Sequence, residues 1–420
     1  YKMFNHSIKV PRHYKIAANI FKKVATEVYI TIKNLQRTNV LFALITETIK
    51  HATQIDKILE SSGMLEVETR FDPWLAKVLT AELLYGKKSL PGKSKPEQTI
   101  LSYKDKFEKR QRNRPTSVQT IVSRPRYVRI NTNLLTTSDA IRAFQDEGYK
   151  FIRCTSGSYD DYLQQIQNLT EYDFTQDYHV KTIFSYTCNR SFTFQATAMA
   201  VHLLAPPADS VVLDMCAAPG MKTTQLLIMN ITQNIMFQGK IYAVERNKER
   251  YDTLCDFVEK TGSKCVQTLH QDALELKRGD YDDVEYILLD PSCSGSGMQF
   301  SVHNYVEDTR MARLTSLQEK FLKHAMNAFP KAKRIMYSTC SLYPEENERV
   351  VTNVVKTSRA RWRVKDVKEL LKGQWNNFGS GMYGTMGARC LYAKPETDFT
   401  TGFFLARSGG KLLSESFPQI

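Results

Sequence analysis

No two of the eight cysteines in this 420-residue sequence stand at CxxC spacing, and no histidines are placed to complete a ligand set around them. That pattern points away from a structural zinc site or a disulfide framework, suits a reducing compartment, and leaves the thiols available for chemistry. No uncharged apolar run approaches the roughly 18 residues of a membrane span, so no membrane partner is expected. The opening residues do not follow the pattern of a secretory signal. The GxGxxG and GxxxxGK[ST] spacings are both missing, which argues against a nicotinamide site and a nucleotide triphosphatase. Internal repeats and low-complexity tracts are lacking as well. Acid is scarce: 44 Asp and Glu face 58 Lys and Arg, a formal charge of +14. An excess of that size points to an anionic partner, nucleic acid before acidic membrane.

Between residues 16 and 85 glycine is almost missing, with Gly63 alone. Apolar residues there recur at three- and four-residue steps, as in Val40, Leu41, Leu44, Ile45 and Ile49, and Pro73 opens a further helix. Residues 1–85 therefore read as a helical domain, either an accessory that only packs or one that docks substrate. The first 26 residues carry Lys2, Lys9, Arg12, Lys15, Lys22 and Lys23 with no acid before Glu27. A basic helix start or an organelle-targeting segment would look like this. From Gly86 to Arg126 twelve basic residues face three acids, a net +9 within 41 residues, interrupted by Pro91, Pro96 and Pro115. We read 86–126 as a basic linker, a solvated tether or an electrostatic arm for phosphates.

Residues 127–204 read as a small α+β unit, with a strand at Tyr127–Thr132 and a helix capped by Ser138. Residues 205–420 alternate strand and helix. Strands are expected at Val211–Leu213, Lys240–Val244, Cys265–Leu269, Tyr286–Leu289 and Arg334–Tyr337, with helices at Met221–Met229, Lys248–Glu259 and Arg313–Ala328. Such alternation predicts an α/β fold with a parallel, Rossmann-like sheet covered on both faces, binding ligands at the strands' carboxyl ends.

The chemistry-bearing motifs fall at those ends. Asp214-Met215-Cys216-Ala217-Ala218-Pro219-Gly220-Met221-Lys222-Thr223 is a tight strand-to-helix turn of small residues that lets a ligand approach backbone amides. Glu245 ends the next strand, placed for a ribose diol, and Asp272 follows the third, placed for an adenine amino group. Three such positions in register suggest an adenosine-bearing cofactor. Asp290-Pro291-Ser292-Cys293 ends the fourth strand and Ser338-Thr339-Cys340-Ser341 the fifth. A lone cysteine is by default a packed one, and Cys154, Cys188, Cys255 and Cys265 are read so. Two thiols at neighbouring strand ends beside a cofactor site read as reactive.

The stretches DMCAAPGMKT, LLDPSCSGSG and YSTCSLYPEENERVV resemble the signature motifs of the Sun-domain (Fmu-type) RNA cytosine-5-methyltransferases, over roughly Arg126 to Ala406. The helical N-terminus and the Pro-Ser-Cys form of the second motif resemble the large-subunit (25S/28S) ribosomal RNA branch. The resemblance implies a class I S-adenosylmethionine-dependent methyltransferase sheet carrying a small α+β RNA-binding subdomain. It implies methylation of carbon 5 of an RNA cytosine through a covalent cysteine adduct, with Cys340 as nucleophile and Cys293 assisting product release. Asp290 would hold the cytosine edge and Lys222 would reach the base or stabilise Asp290. S-adenosylmethionine contacts carry over to Cys216, Ala217, Ala218, Pro219, Gly220, Met221, Lys222, Glu245, Arg250, Asp272 and Asp290, with no metal. Two departures stand out: Gln195-Ala196-Thr197-Ala198 lacks the acid usual in the helix before the first motif, and Glu245 replaces the more usual Asp. The corresponding expectations are ribosomal RNA as partner, a monomeric chain, and a nuclear, nucleolar location with the mitochondrion as alternative. Transfer RNA as substrate, and a catalytically silent ribosome-assembly factor, are the competing readings.

Overall fold

A computed structural model describes residues 9–26, 39–112, 125–154, 157–186, 195–227, 237–298, 308–358 and 362–410. The chain divides into two compact units, residues 1–121 with 294–313, and residues 122–293 with 314–420.

The first unit is helical because its sequence is. Helices run over Arg12–Thr26, Asn39–Lys50, Ala52–Ser62, Met64–Val67 and Pro73–Leu84. The helix Pro73–Leu84 is the buried one, with Leu75, Ala76, Val78, Leu79, Ala81, Leu83 and Leu84 all inside, and the first three helices pack around it. A helix apolar on every side has to sit at the centre of its bundle. Asp72 caps it, its carboxylate accepting from the Trp74 amide at 2.9 Å, and Pro73 occupies the first turn, where its missing N–H costs nothing.

The basic segment 86–126 is not a linker throughout. Helices form at Lys95–Ser102 and Lys104–Arg112, and Ile100 and Phe107 are fully buried in the helical core. Ser94 starts the first with a capping box, its amide donating to the Glu97 carboxylate at 2.9 Å, while Pro96 lies in the first turn. Truncating a buried phenylalanine such as Phe107 typically costs about 3–5 kcal/mol, so this stretch is part of the fold. Lys87, Lys88, Lys93, Lys95, Lys106, Lys109 and Arg110 are exposed on it. Arg114, Pro115 and Arg124 lie outside the described residues.

The second unit holds two sheets. The smaller has strands β1 (Arg126–Arg129), β2 (Lys150–Phe151), β3 (Asp173–Gln176) and β4 (Ile183–Tyr186) in the order β1-β4-β3-β2, with helices Thr137–Asp146 and Tyr159–Gln167. Thr136, not Ser138, caps the first of these helices, accepting from the Asp139 amide at 3.1 Å. Either hydroxyl suits the role, and Thr136 has the acid three residues on that completes the turn.

The larger sheet contains β5 (Val211–Asp214), β6 (Lys240–Val244), β7 (Val266–Leu269), β8 (Tyr286–Leu289), β9 (Arg334–Thr339), β10 (Arg363–Val364), β11 (Leu391–Ala393) and β12 (Phe403–Gly409). Strands β7-β6-β5-β8-β9 are parallel, as the alternation predicts. The sheet does not end there: β12 pairs antiparallel with β9, and β10 and β11 pair antiparallel with β12. The fold is therefore a mixed α/β sheet. Side chains alternate between two cores: Val212, Leu288, Met336 and Leu405 enter one, while Leu213, Leu289, Tyr337 and Phe404 enter the other. The helix expected at Met221–Met229 is described over Met221–Leu226, and 228–236 lie outside the described residues. The first strand of the series, β5, is central, and the order reverses between β5 and β8, which is where an α/β sheet opens its ligand crevice.

Candidate active site

The crevice is built from five strand ends, those of β5 to β9. After β5 the chain turns through Met215–Gly220 into the short helix Met221–Leu226. The turn is tied down by its neighbours: the Met215 amide donates to the Leu288 carbonyl at 3.0 Å and the Ala217 amide to the Val244 carbonyl at 2.9 Å. Gly220 has φ +105°, and a Cβ there would lie 3.0 Å from Leu254 Cδ1 and 3.2 Å from Phe257 Cδ1. Both the backbone conformation and the helix packed above it thus require glycine.

At the end of β6, Glu245 is nearly buried, one carboxylate oxygen accepting from the Asn247 amide at 2.8 Å and the other lying 3.3 Å from Arg250. Arg250 also donates to the Ala218 carbonyl at 2.8 Å, so it braces the first-motif turn against the carboxylate. Asp272, after β7, accepts from the Leu274 amide at 3.0 Å and from Arg246 at 3.0 Å.

Lys222 and Asp290 meet across the crevice, Nζ to Oδ2 at 2.5 Å, with both side chains largely enclosed. The second Asp290 oxygen accepts from Ser338 Oγ at 3.0 Å, two residues before Cys340 on β9. The Lys222 ammonium also sits 5.5 Å from the centre of the Phe403 ring. Burial opposes the Lys222 charge, but Asp290 and Cys340 outweigh it and raise the pKa overall. Cys340 is partly buried, and its thiol is pushed up to about 12, by burial first and Asp290 second, with Lys222 pulling the other way. Cys293 is partly buried too, and neither thiol is in a disulfide. Beneath them Asp214 is fully enclosed and accepts from Thr223 Oγ1 at 2.8 Å. Burial, with Asp290 adding, lifts its pKa to about 6.

The structure thus brings Lys222, Asp290 and Cys340 into electrostatic contact and sets Cys216–Gly220, Glu245 and Arg250 around one turn. Cys216 is pushed well up, by burial and then by Asp214 and Glu245, which marks it as a neutral wall of the site. Cys255 donates to Thr268 at 3.5 Å and Cys154, Cys255 and Cys265 are half-buried, whereas Cys188 lies outside the described residues. Among the described residues no group of three or more His, Cys, Asp or Glu could hold a metal ion. Nor is any described helix long and apolar enough to cross a membrane.

Three contacts at the site were not apparent from sequence. Ser338 is a hydroxyl in a buried strand, a position where a polar residue needs a partner, and that was the available signal. Phe403 comes from the antiparallel strand. Arg129, from the small sheet, donates to the Met221 carbonyl at 2.6 Å and to Thr224 Oγ1 at 2.8 Å, holding the helix that carries Lys222.

Comparison with known proteins identifies the family. Residues 201–408 match the family model for 16S rRNA methyltransferase RsmB/F, residues 39–113 the N-terminal domain of NOL1/NOP2/Sun domain family member 5, and residues 124–203 its ferredoxin-like domain. A 28S rRNA (cytosine-C(5))-methyltransferase of Drosophila melanogaster is 40% identical, over 96% of this chain and 96% of its own. The chain belongs to the NSUN5 family of Sun-domain cytosine-5 methyltransferases. A mouse member, also named 28S rRNA (cytosine-C(5))-methyltransferase, is 31% identical over 89% of this chain and 84% of its own. In fold, the NSUN5-family chain is similar to a methyltransferase homolog protein from Pyrococcus horikoshii, with TM-score 0.52 at 20% identity over 85% of this chain and 99% of that one. The family is S-adenosylmethionine-dependent, and its N-terminal domain match runs to residue 113, where the helix Lys104–Arg112 has just ended.

Proposed function

We propose that this chain methylates carbon 5 of a cytosine in large-subunit ribosomal RNA, with Cys340 as the nucleophile. The observation that carries the reading is the Lys222–Asp290–Ser338 chain of contacts beside Cys340, in a family whose relatives are named for that reaction. The residues present fit the donor. The first-motif turn offers small side chains, and Glu245 offers a carboxylate whose remaining lone pairs can accept from two ribose hydroxyls. Asp272 stands at the next strand end for the adenine side. When bound, S-adenosylmethionine supplies the electrophilic methyl that carbon 5 accepts.

The chain's own residues make carbon 5 reactive. Sulfur of Cys340 bonds to carbon 6 of the cytosine as its thiol proton passes by way of the Asp290 carboxylate to nitrogen 3, and the ring electrons shift to give an enamine with nucleophilic character at carbon 5. Asp290 faces the ring's polar edge and holds nitrogen 3 as that happens, kept in place by Ser338 and Lys222. After methylation, carbon 5 carries one proton too many. Loss of that proton, assisted by Cys293, returns its electron pair to the ring, and the bond between carbon 6 and Cys340 breaks. Cys340 leaves as thiolate and takes back the proton from nitrogen 3 by way of Asp290, which restores the neutral thiol. A paired cytosine has to be unstacked to reach the thiols.

The exposed lysines and arginines between Lys87 and Arg110 serve in this reading as sites for RNA phosphates. The chain acts as a monomer, with its place of work in the nucleolus, where a tagged chain should overlap a nucleolar rather than a mitochondrial marker. Bisulfite sequencing of total RNA from cells with and without the chain tests the substrate. One large-subunit cytosine should lose protection with the gene and regain it with wild type but not with Cys340→Ala. Unchanged large-subunit protection, or loss confined to transfer RNA, would overturn the assignment.

A further inference from the structure

The two thiols stand on separate turns, one after β8 and one after β9, yet both must address a single pyrimidine ring. One link joins the strand ends before either cysteine, from Ser338 Oγ to Asp290. A second is made by a residue from outside the three motifs. Gln318, in the helix Asp308–Ala328, is fully buried. Its amide nitrogen Nε2 donates to the Ser292 carbonyl at 2.9 Å and to Glu346 Oε1 at 3.0 Å. Ser292 is the residue before Cys293. Glu346 sits in the turn that follows Cys340, where its own carbonyl accepts from Tyr337 Oη at 2.6 Å.

The neighbour of Glu346 completes the arrangement. Asn347, also fully buried, accepts from Thr339 Oγ1 at 2.5 Å and donates to the Ser341 carbonyl at 2.9 Å. It therefore grips the chain on either side of Cys340. Cys340 is fixed by Asn347, Asn347 adjoins Glu346, and Glu346 is joined through Gln318 to the backbone beside Cys293. A primary amide is the neutral group that can give two protons to two acceptors from one nitrogen, which this bridge needs. Glutamate at 318 has no proton to give when ionised, and methionine of similar length has none at all.

We propose that Gln318 is a positioning residue that sets the register between the Cys293 turn and the Cys340 turn, and so couples adduct formation to product release. The proposal rests on the two-cysteine reading above. Loss of the bridge leaves Cys340 held by Asn347 but releases the Cys293 turn. Attack on carbon 6 should proceed while breakdown of the adduct slows. A residue that merely stabilised the fold would lower both steps together.

The test uses the full chain, RNA substrate and S-adenosylmethionine, with covalent complex read as a denaturant-resistant band. Gln318→Met should accumulate adduct at about tenfold the wild-type level, the scale of one lost charge-assisted hydrogen bond, while adduct forms at a rate within about twofold of wild type. Glu346→Gln keeps an amide oxygen for Gln318 to donate to, and should behave as wild type. Should Gln318→Met fail to fold by thermal melt, Glu346→Ala breaks the bridge from its other end and should show the same accumulation. Slower turnover without accumulated adduct, or accumulation in Glu346→Gln, would overturn the proposal. Cys293→Ala run on the same gel separates the two claims. No trapped adduct there defeats the two-cysteine reading, whereas a trapped adduct with none from the folded bridge variant defeats the role of Gln318 alone.

Discussion

Raising the pH should expose Cys340 as a thiol that is neutral at rest. Its pKa is pushed up to about 12 from an ordinary 9.0, by burial and by Asp290, with Lys222 opposing. At pH 7 the thiolate fraction is then about one part in 10⁵, and a lift of that size disfavours the thiolate by about 4 kcal/mol. Alkylation by iodoacetamide requires the thiolate, so it reports this fraction directly once the modified peptide is identified by mass spectrometry. In the absence of RNA the rate at Cys340 should climb about tenfold per pH unit from pH 6 to 10 without levelling. Lys222→Met removes the opposing cation and should lower the rate at every pH. Asp290→Asn removes the neighbouring anion and should raise it, even though methyl transfer by that variant falls. The opposite movement of alkylation and turnover in Asp290→Asn distinguishes an electrostatic cause from general damage. A plateau at or below pH 8 would mean the thiolate is already formed in the free enzyme, and the reasoning from burial would be wrong.

Asp214 carries a second pH signature. Its folded-state pKa of about 6 stands above the ordinary 3.8, so folding retains a proton that the unfolded chain releases. The stability this provides is complete below about pH 4 and lost as pH rises through about 6. Asp214→Asn keeps an acceptor for Thr223 and does not titrate, so its stability relative to wild type should grow by about 2.4 kcal/mol between pH 4 and 7. Parallel denaturation profiles would refute this. Replacing Lys88, Lys93, Lys95 and Lys109 with Gln should leave the helical unit folded, since all four are exposed. It should also reduce the salt slope of RNA binding by up to about 3, at roughly 0.7 for each phosphate no longer neutralised on a single strand. An unchanged slope would assign phosphate binding to other surfaces.

The parts of the fold that could be read in advance are those where one local pattern suffices. Lys240–Val244 and Tyr286–Leu289 are short apolar runs closed by a polar residue and a turn, and the strands begin and end there. Pro73 after Asp72 announced its helix for a similar local reason. The helices at Lys95–Ser102 and Lys104–Arg112 were masked by their own charge: each offers the core few large apolar anchors, Ile100 and Phe107 chief among them, while lysines and arginines crowd the solvent side. The strand Phe403–Gly409 gave no directional signal, because whether it runs parallel or antiparallel to β9 depends on the connection from 340 to 402. At the site, Cys340, Cys293, Asp290 and Lys222 stood out because their motifs are contiguous. Ser338 as the partner of Asp290, and Gln318 as the bridge between turns, depend on contacts across 48 and 28 positions that no local spacing encodes.

In the proposed mechanism Cys340 bonds to a cytosine of large-subunit RNA and Cys293 is needed to let it go. It is tested most directly by incubating Cys293→Ala with that RNA and S-adenosylmethionine, then digesting the denaturant-resistant complex and mapping the cross-linked peptide. One nucleotide, a methylated cytosine, should be attached to the peptide through Cys340, with no complex in the Cys293→Ala, Cys340→Ala double variant. A cross-link through any other residue, or a complex that survives loss of Cys340, would contradict it.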